Sequence, residues 1–448
     1  MFQYIIYPIH NGVGLSFSDW VSLLTLCFAP LIAHVVAGVP HSSYLYDKRP
    51  KWHERICLYN PTSIMWRYFS ILDRRLRTRM WSRFDLAATN AVFWTERGWD
   101  GSQQMITRSL PHCTYLPSHS QAEIFSDETF KSIVTALQGI QAAQLFISSF
   151  THDVTDLKFL GADLIFYPLA ALGLFRLFAA PWLSNDFKYT SRIGDCVSFN
   201  VPLKTEAENR VSLDSLLHSP DSMAMTQDRH RQVSCWQSRL LRASYITLLL
   251  AIWFLTILWV FPIPYNVSFA ESYKGFTITS FCVAVFYLVM IAVSLAVHGH
   301  YFIKGQTTST VIPCASYLWY KVYTIILFVS MAFILIVSFF ETTKTVCGKF
   351  TSFPVASADA VACEGRDTRV WHINASSTKS EAFGIALRYP YAVHETVLKE
   401  GEFWVWNCTA TCIGRGLGAP RTHAMTLDAV DFKGIIDWGN GTATEVAS

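Results

Sequence analysis

Hydrophobic positions along this chain come in long unbroken blocks separated by polar stretches, with little strand-like alternation. A hydrocarbon core about 30 Å thick takes roughly 20 mostly apolar helical residues to cross. Six blocks reach that length: Val21–Val39, Ser132–Phe150, Phe159–Ala180, Ala243–Pro264, Phe276–Val297 and Leu318–Phe340. The last three carry no charged side chain except Lys321. The pattern predicts an all-α polytopic membrane helix bundle of about six transmembrane helices. The tail 341–448 breaks the pattern. Segments such as Glu402–Asn407 favour strands, and the expectation there is a small β-rich domain ending loosely after Gly434.

The second block is the weakest. Thr135, Gln138, Gln141, Gln144 and Ser148 fall on one half of a helix, and Ile133, Ala136, Ile140, Ala143, Ile147 and Phe150 on the other. Such a polar half is expected to turn toward the bundle interior or a wet cavity. The third block holds Asp163 and Arg176, which point to different faces and each sit near an end. Both are expected to reach out to the interface. Gln138, Gln141, Gln144 and Asp163 form the candidate intramembrane polar site.

Charge sets the orientation. The first 47 residues contain no Lys or Arg, whereas Lys48, Arg49, Lys51 and Arg55 follow the first span at once. Basic residues favour the inner side, which puts 1–20 outside, 40–131 and 181–242 inside, and 341–448 outside. The first span is expected to be uncleaved, since no positive charge precedes it. A competing topology with 1–39 removed and 132–150 on the surface moves 40–158 outside and leaves the last three spans unchanged. Four sequons, at Asn266, Asn374, Asn407 and Asn440, all fall on outside segments, so glycosylation is expected there. Cys347, Cys363, Cys408 and Cys412 share the outer tail and suggest two disulfides, with three connectivities open.

The inner region 40–131 holds 13 basic and 9 acidic residues. Between Trp66 and Phe84, Arg67, Arg74, Arg75, Arg77, Arg79 and Arg83 interleave with aromatic and aliphatic side chains. Two readings stand: a basic amphipathic helix on the anionic lipids of the inner leaflet, or a helix of a small inner domain with a solvated Arg face. Residues 203–234 are polar and read as a partly disordered linker. Asp85 is placed to cap a helix, and Trp99-Asp-Gly101 reads as the turn that ends it.

The stretch DLAATNAVFWTERGWDGSQQM (85–105), followed by Cys113 and the LQGIQ run of the second block, resembles a group of uncharacterised multi-pass membrane proteins of filamentous fungi. The likeness covers about residues 40–180. It implies a fungal origin and a polytopic fold, and brings no catalytic residue with it.

Composition narrows function more by exclusion than by assignment. The chain is 51% hydrophobic and only 15% charged, with a net charge of +3. These values exclude a disordered chain and give no basis for a nucleic-acid partner. His34 and His41 near the end of the first span, and His298 and His300 near the end of the fifth, lack the spacing of membrane metal boxes. No metal and no cofactor motif is expected. The leading expectation is a non-enzymatic sensor, scaffold or organiser of protein partners in a plasma or secretory-pathway membrane. Two alternatives are a transporter or channel lined by Gln138, Gln141, Gln144 and Asp163, and an integral-membrane enzyme acting on a lipid or isoprenoid.

Overall fold

Ser16 starts the first helix. Its hydroxyl accepts from the Asp19 backbone N–H at 3.3 Å, and the Asp19 carboxylate accepts from the Ser16 N–H at 3.3 Å. This capping box opens α1 (Phe17–Leu31). Pro30 removes a ladder donor, and the helix continues as a wider π-helical turn over Ile32–Val36. The computed structural model describes residues 15–151, 159–191, 229–260, 274–344 and 350–353. It also describes the strand backbones at 4–6, 371–374, 383–388, 402–407 and 425–426.

The chain is mostly helical, and five helical segments are long and apolar enough to cross a membrane: Phe17–Val36, Ala162–Trp182, Trp236–Val260, Ile278–Ile303 and Leu318–Glu341. It is an integral membrane protein. Three of these are continuous helices: α7 (Trp236–Val260), α8 (Ile278–Ile303) and α9 (Leu318–Glu341). Their outward faces carry exposed Leu248, Phe254, Val289, Ile326, Val329 and Phe333, as contact with lipid tails requires.

The Ala162–Trp182 segment is broken, not straight as the apolar run suggested. A 3-10 turn (Ala162–Leu164) leads into α5 (Tyr167–Gly173), then α6 (Phe175–Ala179) and a second 3-10 turn (Ala180–Trp182). Pro168 and Pro181 each sit at the first positions of a new turn, where the missing N–H costs nothing.

Partner contacts give each helix its direction. At one end, here called upper, Lys344 pairs with Asp19 at 2.5 Å. Glu341 accepts from the Thr279 N–H at 2.9 Å, and Thr342 from the Ala162 N–H at 2.9 Å. At the lower end Arg176 donates to the Ala37 carbonyl at 3.0 Å and Arg242 to the Phe302 carbonyl at 3.0 Å. So α1 and the broken segment both descend, α7 ascends, α8 descends and α9 ascends. Between α1 and the broken segment lies α4 (Asp127–Thr151). Its first turn meets Arg176 at the lower end, and Leu145 and Phe146 meet Leu164 and Tyr167 higher up. It therefore ascends.

Beneath the bundle lie the residues that join α1 to α4. β1 (His41–Tyr44) pairs parallel with β2 (Ala91–Thr95), which pairs antiparallel with β3 (Gly98–Asp100). The expected long helix through 85–100 is instead a helix, a strand, a turn and a strand. Ser82 caps α3 (Arg83–Asn90), with Asp85 as the reciprocal acceptor at its third position. The run Val92-Phe-Trp then extends, because bulky aromatic and branched residues fit a pleated surface. Phe93 is buried and packs edge-on against Tyr189, with ring centroids 4.9 Å apart. Gly98 makes the turn at φ 101°, so Trp99 and Asp100 lie in a strand and do not terminate a helix.

The expected single helix over Trp66–Phe84, with its arginines exposed to lipid or water, is divided between α3, which Arg83 opens, and α2 (Pro61–Arg77), where the departure is largest. Fourteen of its seventeen residues are buried. It packs against α6, α7, α8 and α9 at the lower end of the bundle. In the tail, four strands (Trp371–Asn374, Phe383–Arg388, Glu402–Asn407 and Met425–Thr426) pair antiparallel in sequence order. The expected Glu402–Asn407 strand is among them.

Candidate functional site

The chemistry of this molecule concentrates where α2 enters the bundle. Asn60 caps the helix by accepting from the Thr62 N–H at 2.9 Å, and Pro61 occupies the first position. The cap amide also donates to Thr324 of α9 at 2.8 Å. Thr62 meets Ser294 of α8 at 2.8 Å, and Ser63 meets the Tyr320 hydroxyl at 2.6 Å. His298 sits between the Thr62 carbonyl at 3.2 Å and the Tyr245 hydroxyl at 3.3 Å. Polar side chains at 60, 62 and 63 thus match Thr324, Ser294 and Tyr320 on α8 and α9. In an apolar bundle such matching fixes register.

Farther along α2 the groups become charged. Asp73 pairs with Arg77 at 2.8 Å, both buried, and also accepts from Ser238 at 2.5 Å and Thr307 at 3.2 Å. Arg74 reaches the Gly101 carbonyl at 2.5 Å, the Thr308 carbonyl at 2.8 Å and Thr89 at 3.2 Å. Arg67 reaches the Gly38 carbonyl at 3.1 Å and the Asn90 carbonyl at 3.3 Å. Among the described residues neither Arg67 nor Arg74 meets a carboxylate at ion-pair distance. Burial, with Arg77 beside it, pulls Arg74 down to about 9, which leaves it charged at neutral pH. These guanidiniums act as multi-pronged donors to loop carbonyls that would otherwise be buried unpaired.

Arg176 does not reach out to the interface as its position in the third block suggested. It is buried and ion-paired with Glu128 of α4, with further donors to Tyr68 at 3.1 Å and Ser132 at 3.0 Å. Lys131 holds the other Glu128 oxygen at 2.7 Å. One turn higher, His34 packs against Gly173. A side-chain carbon added at residue 173 would fall inside the imidazole.

The structure does not gather the four residues of the candidate polar site. Gln141 and Gln144 are exposed on the outside of α4, and Gln138 is half-buried. The buried face of α4 instead runs Glu128, Ser132, Thr135, Gly139 and Ala142. Glycine is required at 139, because a side chain there would meet Leu174 and the Ala170 carbonyl within 3 Å. Close backbone approach chose the face, and Gly139 was the sequence signal for it. Asp163 lies at the opposite, upper end, in the turn that starts the broken segment.

Among the described residues, three polar atoms along α1 and α4 are buried without a hydrogen-bond partner: His34 Nε2, Thr135 Oγ1 and Gln138 Oε1. His34 and His298 have separate surroundings and share no partner. No group of three His, Cys, Asp or Glu side chains among the described residues is placed to hold a metal ion. Below the bundle, His230 meets Thr78 at 2.9 Å and closes the bridge between 229–231 and 77–79. Burial and the neighbouring Arg74 lower it to about 4.

Cys27, Cys57, Cys235, Cys282 and Cys314 are free thiols among the described residues. The expected disulfide residues Cys347, Cys363, Cys408 and Cys412 lie outside the described residues, as do Asn266, Asn440 and residues 203–228 of the expected 203–234 linker. Asn374 and Asn407 are each the last residue of a tail strand. No protein-family model, curated protein or solved structure matches this chain.

Proposed function

We propose that this chain is a non-enzymatic membrane organiser: a bundle that holds a rigid inner platform for protein partners and carries a tail on the other side. The observation that carries this reading is α2. A helix buried among α6, α7, α8 and α9, and stitched to the 101 and 308 loops by Arg74, welds the inner region to the spans. Motion of either part is then motion of both.

Six crossings complete the arrangement, with α4 as the sixth. Its support is directional: α1 and the broken segment both descend, so the chain ascends between them, and α4 is the 25-residue helix that does so. Its glutamines keep it less apolar than the other five. The orientation follows the basic residues, with the lower end inside. Exposed Trp52, Phe125, Trp236 and Trp319 suit an interfacial belt at that end. Contact with anionic inner-leaflet lipids narrows to Arg79 and Arg83, which stay exposed while Arg67, Arg74 and Arg77 are buried. The tail is read as a β-rich outer domain, stapled by Cys347, Cys363, Cys408 and Cys412 and glycosylated at Asn374, Asn407 and Asn440.

A second reading, transport, is favoured by the broken third crossing beside the unpartnered His34 and Thr135 atoms. Full-length chain in sealed vesicles separates the two. The organiser reading expects proton, potassium and small-solute leak no faster than in protein-free vesicles. Leak that falls with His34→Ala would replace it with transport. Glycan mapping in a secretory host tests the topology, and unmodified Asn374, Asn407 and Asn440 would overturn the outer tail.

A further inference from the structure

Two side-chain amides stand on the outward face of one helix. On α9 the outward positions Val322, Ile326, Val329, Phe333, Ile336 and Phe340 are all apolar and exposed, as lipid contact requires. On α4 the outward positions follow the same spacing of three and four: Phe130, Ile133, Leu137, Ile140, Gln144 and Ile147. Here an amide stands in the row, and a second, Gln141, stands beside it. Leu137 is 66% exposed and Ile147 63%, so among the described residues nothing covers this face. Among the described residues neither amide has a hydrogen-bond partner. Gln144 lies sixteen residues beyond Glu128, about 24 Å along the helix from the lower-end ion pair. With α4 as a crossing, that depth is within hydrocarbon, where an amide finds no water.

We propose that α4 is the contact through which two copies of this chain pair in the membrane, around an axis along the membrane normal. A lipid tail leaves a primary amide unsatisfied. A second copy of the same helix satisfies it, because the group carries both a carbonyl acceptor and N–H donors and so complements itself. Parallel pairing sets Gln144 against its own counterpart, flanked by Ile140 and Ile147. A polar residue at one position of such a seam fixes register and copy number. The same patch on both partners gives a closed two-fold pair with no free edge. Ala136 and Ala143, half-buried at the flank, keep the seam slim enough for the backbones to approach.

The proposal rests on reading α4 as a crossing, and the test separates the two. Full-length chain in nanodiscs or mild detergent is sized by light scattering, and a dimer is expected. The variant Gln141→Leu with Gln144→Leu, which removes only polarity from a lipid-facing surface, is expected to raise the dissociation constant about tenfold. Gln144→Asn retains the pair. In membranes, Gln144→Cys is expected to cross-link between copies well above the background of the native thiols, and Val329→Cys on α9 is not. A monomeric unsubstituted chain, a dimer indifferent to the double Leu change, or equal cross-linking at both positions overturns the proposal. Labelling of Gln144→Cys by a membrane-impermeant maleimide overturns the crossing itself, and the pairing with it.

Discussion

The His34 imidazole occupies the space that a side chain on Gly173 would need. The π-helical turn of α1 delivers the ring there, and the bare backbone of α5 receives it. Gly173→Ala is expected to destabilise the protein by about 1–3 kcal/mol through overpacking. Thermal unfolding in detergent measures this. On a His34→Ala background the same change should cost much less, since the clash is gone. Equal costs on both backgrounds would show that the ring is not what excludes the side chain.

Arg176 and Glu128 are the buried ion pair between α6 and α4. Removing one partner of such a pair strands the other, at about 3–5 kcal/mol. Glu128→Gln is therefore expected to lower the unfolding temperature clearly. Adding Arg176→Met to that variant should restore most of the loss, because no stranded charge remains.

Arg74 satisfies three acceptors on three different segments. An ammonium is a single point and cannot span Thr89 and both carbonyls. Each lost charged hydrogen bond is worth about 1.5–3 kcal/mol. Arg74→Lys should therefore loosen the 308–311 loop. Hydrogen exchange at the Thr310 amide, which donates to the Gly101 carbonyl at 3.1 Å, reads this directly. Unchanged exchange there would mean the loop is held by other contacts.

His230 gives a pH dependence. In the fold it titrates near 4, and in an unfolded chain near 6.5. Above pH 6.5 neither state binds the proton, and its contribution to stability is complete. Between 6.5 and 4 only the unfolded state binds it, so that contribution falls as the pH falls. Below 4 both states are protonated and the loss levels off. Unfolding followed from pH 7.5 to 4 should show this slope, and His230→Asn should flatten it.

Although the second block is not among the five segments apolar enough to cross, the existence of α7, α8 and α9 was readable from apolar run length. Sidedness within a segment was not. In α4 the glutamine half looked like the inner face by polarity, yet Gly139 and Ala142 turned inward because two backbones meet there. In α2 the arginines looked like a solvent face, because sequence shows charge but not the carbonyls of Gly38, Asn90, Gly101 and Thr308 that wait for it. Those acceptors come from four separate places in the chain, and no local pattern joins them. The Val92–Trp94 strand was hidden for a simpler reason: the preceding alanines extended a helical reading past Asn90.

The placement of α2 also bears on how the protein is made. Its partners Arg176, Ser238, Ser294 and Tyr320 all follow it in the chain, the last by some 240 residues. While the ribosome is still making the later spans, α2 has no pocket to enter. Its arginines keep it soluble at the membrane surface during that wait. The seat closes only when α9 arrives, so a chain truncated before Leu318 is left holding a charged helix that should mark it as unfinished.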